Sequence, residues 1–406
     1  MNLLDLVTRD KLRTVSVVGI AKNVGKTTTL NHLISLCGRE EISLGLTSTG
    51  RDGERVDILT RLPKPAITAP EGTLIATAEE VAGQGTAGLQ AVRNTGYVTR
   101  LGPIIIYMVV RAGNVQLVGP DTVRQVRDIT EQLHQYGAEL VLVDGAFDRV
   151  ASAAPAVTEG TILATGAAVS PAVEETLDRS RLAIELFSLR KVREEPHAAA
   201  AARLAAEHRV GLIADGGEAT VLPMRTALER GGEVAASVRP DTKYLVLGGS
   251  LPSSVLRALM MQVEVIRKVQ LVVADGTRVF ADPRTWREFV RLGGRLRVVN
   301  PIRLLAATTN PFSPLGGSYE PEEFLAKVGA LAAPLPVFDV VLGKSANTEP
   351  RRTRATTAGT VAGSEPGPEP GAAPGEGPAQ EAATAAPRRR SSRGQGKPGK
   401  ENQPGV

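Results

Sequence analysis

Val15-Ser16-Val17-Val18-Gly19-Ile20-Ala21-Lys22-Asn23-Val24-Gly25-Lys26-Thr27-Thr28 is the stretch that decides the fold. An apolar run, Val15–Val18, leads into a loop bounded by Gly19 and Gly25. Lys26-Thr27-Thr28 then opens a segment with Leu30, Leu33, Ile34 and Cys37 at helical spacing. Strand, loop and helix N-terminus in this order make a phosphate cradle. Backbone N–H groups converge on the anion, the helix dipole favours its charge, and Lys26 supplies a cation. The Thr27 hydroxyl suits Mg²⁺. Gly19, Lys22, Asn23, Val24, Gly25, Lys26, Thr27 and Thr28 are therefore the candidate binding residues for a nucleoside triphosphate. A Gly-Lys-Thr triplet also arises by chance in surface loops. The apolar strand before it and the amphipathic segment after it separate the two readings.

A phosphate cradle with Mg²⁺ needs an acidic residue at the end of a buried strand. Leu140-Val-Leu-Val-Asp144 provides one, followed by Gly145. The loop Ser48–Glu54, after a strand read at Ile42–Thr47, is the other place to look. Asp52 or Glu54 could order a Mg²⁺-bound or attacking water, with Arg51 offsetting phosphate charge. The competing reading is a polar turn that uses Gly50 and Gly53 for geometry. Lys26, Asp52 and Asp144 are the candidate catalytic residues, and Thr27, Asp144 and Asp52 the candidate Mg²⁺ ligands. Asp148 and Arg149 either lie over the phosphates or form a surface pair. An Asn-Lys-x-Asp element for guanine does not occur, which leans towards ATP over GTP.

Composition narrows the classes. The chain has 406 residues, 42% hydrophobic but only 3% aromatic, so its core must be Val, Leu, Ile and Ala. That suits buried parallel strands covered by helices. One cysteine, Cys37, excludes an internal disulfide framework or a cysteine-cluster metal site and reads as a small buried hydrophobe. The four histidines show no metal-ligand spacing, and no Gly-x-Ser-x-Gly elbow occurs. No secretory leader or membrane-length apolar segment is evident, so a cytoplasmic protein without membrane contact is expected. The net charge of +5 is concentrated from Lys344 onward, where ten Lys/Arg face six Glu. The nearly neutral remainder gives no argument for nucleic-acid binding.

Along the chain, strands are expected at Gly72–Thr77, Leu140–Val143, Thr161–Ala164, Tyr244–Leu247, Leu271–Ala274 and Leu296–Val299. Ile104–Val110 and Val115–Val118 read as a hairpin. Helices are expected over Asp121–Tyr136, capped by Asp121, and from Val173 to Val192. Others follow at Ala198–Glu207, Ser253–Met261 and Trp286–Leu292. The expected fold is therefore α/β: a P-loop NTPase-type, mostly parallel sheet flanked by helices and extended by further α/β units. A nucleotide-binding region covers 1–193. A second α/β region over 194–343 either completes the same sheet or stands apart. Residues 344–406 hold nine of the 27 prolines and no apolar periodicity, and read as a disordered tail. The basic end, Arg388-Arg-Arg-Ser-Ser-Arg393, could touch RNA, acidic protein or membrane, or simply be solvated. Asn310-Pro-Phe-Ser-Pro-Leu-Gly-Gly-Ser-Tyr319 is either a shaped binding loop or a connection. Gly248-Gly249-Ser250 is either a second anion site or a turn needing glycine for geometry.

The Gly19–Gly25 loop, one residue longer than usual, resembles the dethiobiotin synthetase and MinD-like branch of P-loop proteins. Gly19–Asn31, Val143-Asp-Gly-Ala-Phe-Asp-Arg149, Ile162-Leu-Ala-Thr-Gly-Ala167 and Asn310–Pro314 together resemble the P-loop accessory subunit of the lysine 5,6-aminomutase reactivase family. The resemblance spans most of residues 15–320. It implies a Mg-ATP-driven reactivase or chaperone subunit that maintains an adenosylcobalamin-dependent aminomutase. Its implied partners are a MutS-like ATPase subunit and the mutase. Several MinD-like ATPases carry a lysine early in the loop, in a Lys-Gly-Gly-x-Gly-Lys run, that crosses a homodimer interface to the partner's nucleotide. The resemblance implies that role for Lys22, but Lys22-Asn-Val-Gly-Lys26 lacks the glycine pair, and a contact within one subunit is the competing reading. A ligase of the dethiobiotin synthetase type, with Arg51, Arg55 and Arg149 as substrate cations, is the alternative. An adaptor whose nucleotide is structural is a third reading.

Overall fold

A computed structural model describes residues 1–50, 66–145, 158–224, 226–228, 230–314 and 316–348. The first half contains β1 (Thr14–Gly19), β2 (Leu44–Ser48), β3 (Ile67–Ala69), β4 (Leu74–Ala78) and β5 (Gly88–Thr99). β6 (Gly102–Arg111), β7 (Gly113–Val115), β8 (Leu140–Asp144) and β9 (Gly160–Gly166) follow. The second half adds β10 (Val210–Ala214), β11 (Ala219–Val221), β12 (Thr242–Leu247), β13 (Leu251–Pro252) and β14 (Gln270–Val273). It closes with β15 (Val279–Phe280), β16 (Arg295–Val298), β17 (Leu304–Asn310), β18 (Val337–Asp339) and β19 (Lys344–Ala346).

Among the described residues ten strands form one sheet in the order β19-β18-β17-β9-β1-β8-β2-β4-β6-β5. The run from β18 to β4 is parallel; β19, β6 and β5 join antiparallel at the two edges. The chain is thus mixed α/β, with a large, mostly parallel central sheet flanked by helices. Its central strands are buried along their whole length, as in β1, β2, β8 and β9. Such strands need apolar residues on both faces, hence Val-rich runs rather than alternation. Leu3–Arg9 and Lys26–Arg39 cover one face, packing Leu4, Leu30 and Leu33 on Val15, Val17 and Leu142. The other face receives Val126, Ile129 and Leu133 of the helix Val123–Gln135 over Val141 and Val143. That helix is capped by Thr122, whose hydroxyl accepts from the Gln125 N–H, and not by Asp121 as expected.

The hairpin expected between Ile104–Val110 and Val115–Val118 does not form. β6 pairs instead with the preceding β5, and β7 pairs with β3. β5 carries Gln90, Arg93 and Asn94 on an exposed edge, so it lacks the apolar signature by which a strand is read. Trp286, Phe187 and Phe324 belong to one continuous core that also holds Val18 and Leu163 of the central sheet and Leu245 and Leu271 of a second sheet. That second sheet has the order β11-β10-β12-β14-β16 and lies between the helix Val173–Phe187 and β17 in the chain. After it, β17 returns to pair with β9. The second half therefore both extends the first sheet and builds another. Residues up to Arg351 group as one compact unit.

Lys344–Ala346, placed by composition at the head of the tail, is an edge strand instead. It pairs with β18, and the Asn347 amide donates to the carbonyls of Gly329 (2.7 Å) and Leu335 (3.0 Å). Three residues at a composition boundary carry no pairing signal of their own. Residues 349–406 lie outside the described residues, and so does the expectation of disorder. Deleting 349–406 is expected to leave the urea midpoint unchanged, whereas deleting from Lys344 should cost about 2–3 kcal/mol through the lost amide bonds and pairing. Equal midpoints for the two truncations would contradict this. No helix among the described residues is long and apolar enough to cross a membrane.

The helix Pro283–Arg291 shows a pH dependence of known sign. Its N-cap, Asp282, accepts from the Thr285 N–H (2.8 Å) and from the hydroxyls of Thr285 and Ser253 (both 2.7 Å). Led by the Thr285 backbone bond, these hold its carboxyl well below the usual carboxylate range. A depressed folded pKa stabilises fully above the unfolded value, about 4, and the contribution is lost as pH falls through the folded one. Asp282→Asn should therefore lower the urea midpoint at neutral pH, and the gap to wild type should narrow below about pH 4. A gap that is constant with pH would refute the assignment.

Candidate functional site

β1 ends at Gly19, where the chain folds back on itself. A Cβ there would lie 2.8 Å from Val24 Cγ2 and 3.0 Å from the Ala21 carbonyl. Val24 is fully buried and plugs the underside of the loop. The Ile20 N–H donates to the Ala164 carbonyl of β9 at 3.0 Å. Asn23 (φ 61°) and Gly25 (φ 90°) then take left-handed conformations that aim the chain into the helix Lys26–Arg39. Asn tolerates this region better than most residues and glycine does so without cost. Gly25 is the N-cap and offers no capping side chain. The first-turn N–H groups of Lys26, Thr27 and Thr28 are thus orphan donors at the positive end of a helix, the arrangement that receives anions.

Asp144 closes β8, the neighbour of both β1 and β2, in register with Val17 and Ser48. It is buried, and its Oδ1 lies 3.0 Å from Lys26 Nζ. Lys26 also donates to the Gly145 carbonyl. Asp144 Oδ1 is shielded from solvent and has no hydrogen bond of good geometry among the described residues. Among the described residues Lys26 is the cation paired with it, and a buried carboxylate is costly without such a partner. The Asp144 carbonyl is itself anchored, accepting from Ser48 Oγ and the Thr49 N–H at 3.1 Å each.

The structure adds a residue that sequence reasoning did not place in the site. Asn310, at the end of β17, donates from Nδ2 to the Asn23 carbonyl (3.2 Å) and accepts from the Phe312 N–H at Oδ1 (3.2 Å). A Cβ on Gly25 would come within 2.9 Å of Asn310 Cβ. The Asn310-Pro311 loop thus buttresses the left-handed turn. Its composition was visible in the sequence, but its target, 287 positions away, was not.

Gly19, Asn23, Val24, Gly25, Lys26 and Asp144 are brought together, with Thr27 and Thr28 half-buried in the first helical turn. Lys22 is exposed at the loop tip. Asp52, with Arg51, Glu54, Arg55, Asp148 and Arg149, lies outside the described residues. Cys37 is buried in the helix core, and burial pushes its thiol up to about 12, so it is inert. Gly248 needs its missing side chain for geometry: a Cβ would lie 2.6 Å from the Arg209 backbone. Among the described residues no group of three or more His, Cys, Asp or Glu gathers as a metal site. Comparisons with protein-family models, with curated proteins and with solved structures return no match.

Proposed function

We propose that the Gly19–Thr28 loop is a P-loop that binds a Mg²⁺-nucleoside triphosphate, ATP before GTP, in a P-loop NTPase-type fold. The observation that carries this reading is the Lys26–Asp144 ion pair at the mouth of an uncapped helix N-terminus. A half-buried cation and a buried carboxylate, paired with each other, stand at the helix N-terminus beside the orphan N–H groups. Each would find a better partner in the ligand: Lys26 in phosphate oxygens, Asp144 in the metal. Mg²⁺ favours sites with one or two carboxylates and phosphate oxygens over an all-protein cage. Asp144 and the Thr27 hydroxyl meet that requirement. The bound Mg²⁺ would neutralise charge on the phosphates. Lys26 would hold phosphate oxygens, the helix N-terminus would orient them, and the Asn310 buttress would keep the loop in its binding shape.

For the physiological role, the resemblance to the reactivase accessory subunit supports a nucleotide-driven partner protein serving an adenosylcobalamin-dependent aminomutase, with a MutS-like ATPase subunit. Phosphate release from the purified chain with Mg-ATP and with Mg-GTP, alone and with the aminomutase system added, tests it. Stimulation by the mutase system is expected. Nucleotide binding with turnover only on adding small carboxylates would replace the reactivase by the ligase reading. Failure to bind either nucleotide would remove both.

A further inference from the structure

The segment between the helices Val173–Phe187 and His197–Ala206 runs alongside β16. Val298 N–H donates to the Arg190 carbonyl and Val192 N–H to the Val298 carbonyl, both at 3.0 Å. Val192 is buried with Tyr244, Val246 and Val272. Arg190, Lys191 and Arg193 are therefore exposed side chains on an anchored backbone. With Arg297 they line a cleft of about 550 Å³ whose remaining walls are Glu194, Tyr244 and Gln270. That volume suits a small molecule.

The charge in this cleft is unbalanced. Glu194, the one carboxylate lining it, is committed to Lys243. Among the described residues Arg190, Lys191 and Arg193 have no carboxylate partner. Arg297 donates from Nε to Gln270 Oε1 at 2.9 Å, which orients the guanidinium plane and leaves its outer nitrogens for a ligand. The Tyr244 hydroxyl has no protein partner among the described residues and adds a neutral donor. Four like charges around one concavity repel each other unless an anion joins them. Guanidinium forks match phosphate oxygens in pairs.

We propose that this cleft binds a small organic phosphate carrying at least two negative charges. It shares no residue with the Gly19–Thr28 loop, so it stands whether or not that loop binds nucleotide.

Calorimetric titration of the full chain with inorganic pyrophosphate tests the proposal. A site is expected that survives Lys26→Ala, and whose Kd rises at least tenfold in Arg190→Glu/Arg193→Glu, both exposed positions. Arg297→Ala, from a half-buried position, should weaken the same site. Relative to the unaltered chain, the charge-reversed pair should bind one equivalent of pyrophosphate fewer, with Lys26 intact or replaced. Unchanged stoichiometry and Kd in that pair would overturn the proposal. So would polyglutamate that binds more tightly than pyrophosphate and depends on Arg190, an outcome that assigns the cleft to an acidic polypeptide.

Discussion

Replacing Lys26 by alanine is expected to weaken Mg-ATP binding about 100-fold or more, because charge-assisted bonds to phosphate contribute about 1.5–3 kcal/mol each. The substitution should also lower stability without ligand. Asp144 is buried, and among the described residues Lys26 is the cation paired with its Oδ1, so the variant should leave a carboxylate unpaired or protonate it. Breaking a buried pair from one side costs roughly 3–5 kcal/mol, and residual solvent access and protonation should bring this to about 1–3 kcal/mol. The double variant Lys26→Ala/Asp144→Asn should recover most of that loss, since the unpaired charge is gone, while binding stays at least as weak as in Lys26→Ala. Urea melts beside nucleotide titrations separate the two effects. Undiminished ATP affinity in a folded Lys26→Ala chain would remove the nucleotide assignment.

The largest expected loss of stability lies at Gly119. A Cβ there would sit 1.6 Å from the Ser48 carbonyl oxygen and 2.5 Å from its carbon. These are backbone atoms at the end of β2, and the Ser48 hydroxyl donates to the Asp144 carbonyl. The close approach is locked from both sides: Gly119 N–H donates to the Gly50 carbonyl at 3.3 Å and Gly50 N–H to the Pro120 carbonyl at 3.0 Å. No side chain can rotate away, so Gly119→Ala should cost about 3 kcal/mol or more and disturb the strand end beside Asp144. Gly38 gives the opposite sign. It sits inside the helix Lys26–Arg39, and nothing lies within 4 Å of its added Cβ. Gly38→Ala should stabilise by about 0.5–1 kcal/mol through helix propensity. Equal midpoints for the two alanine variants would contradict both arguments.

Legibility in the sequence followed the range of the interactions involved. Val15–Val18, Leu140–Val143 and Thr161–Ala164 read as strands because both of their faces are buried, and each is found inside the central sheet. The helix after Gly25 was readable from its apolar spacing and buries Leu30, Leu33, Ile34 and Cys37. β5 was not readable: on an exposed edge its polar residues satisfy the backbone pairing without any apolar pattern. The cap at Thr122 rather than Asp121 was a choice between adjacent cap-forming residues, decided by which one reached the Gln125 N–H and not by propensity, which favours Asp.

The sequence by itself determined the strand–glycine loop–lysine helix, the acidic end of β8 and the α/β class. These depend on neighbours within a few residues, on periodicity and on the backbone freedom of glycine. Tertiary structure alone decided that Asp144 would stand 3.0 Å from Lys26 and that Asn310 would brace Asn23. It alone inserted a second sheet before β17 rejoined the first, and it gathered Arg190, Arg193 and Arg297 around one cleft. Sheet order and side-chain convergence follow from which apolar faces bury each other across the whole chain, and no local pattern encodes that choice.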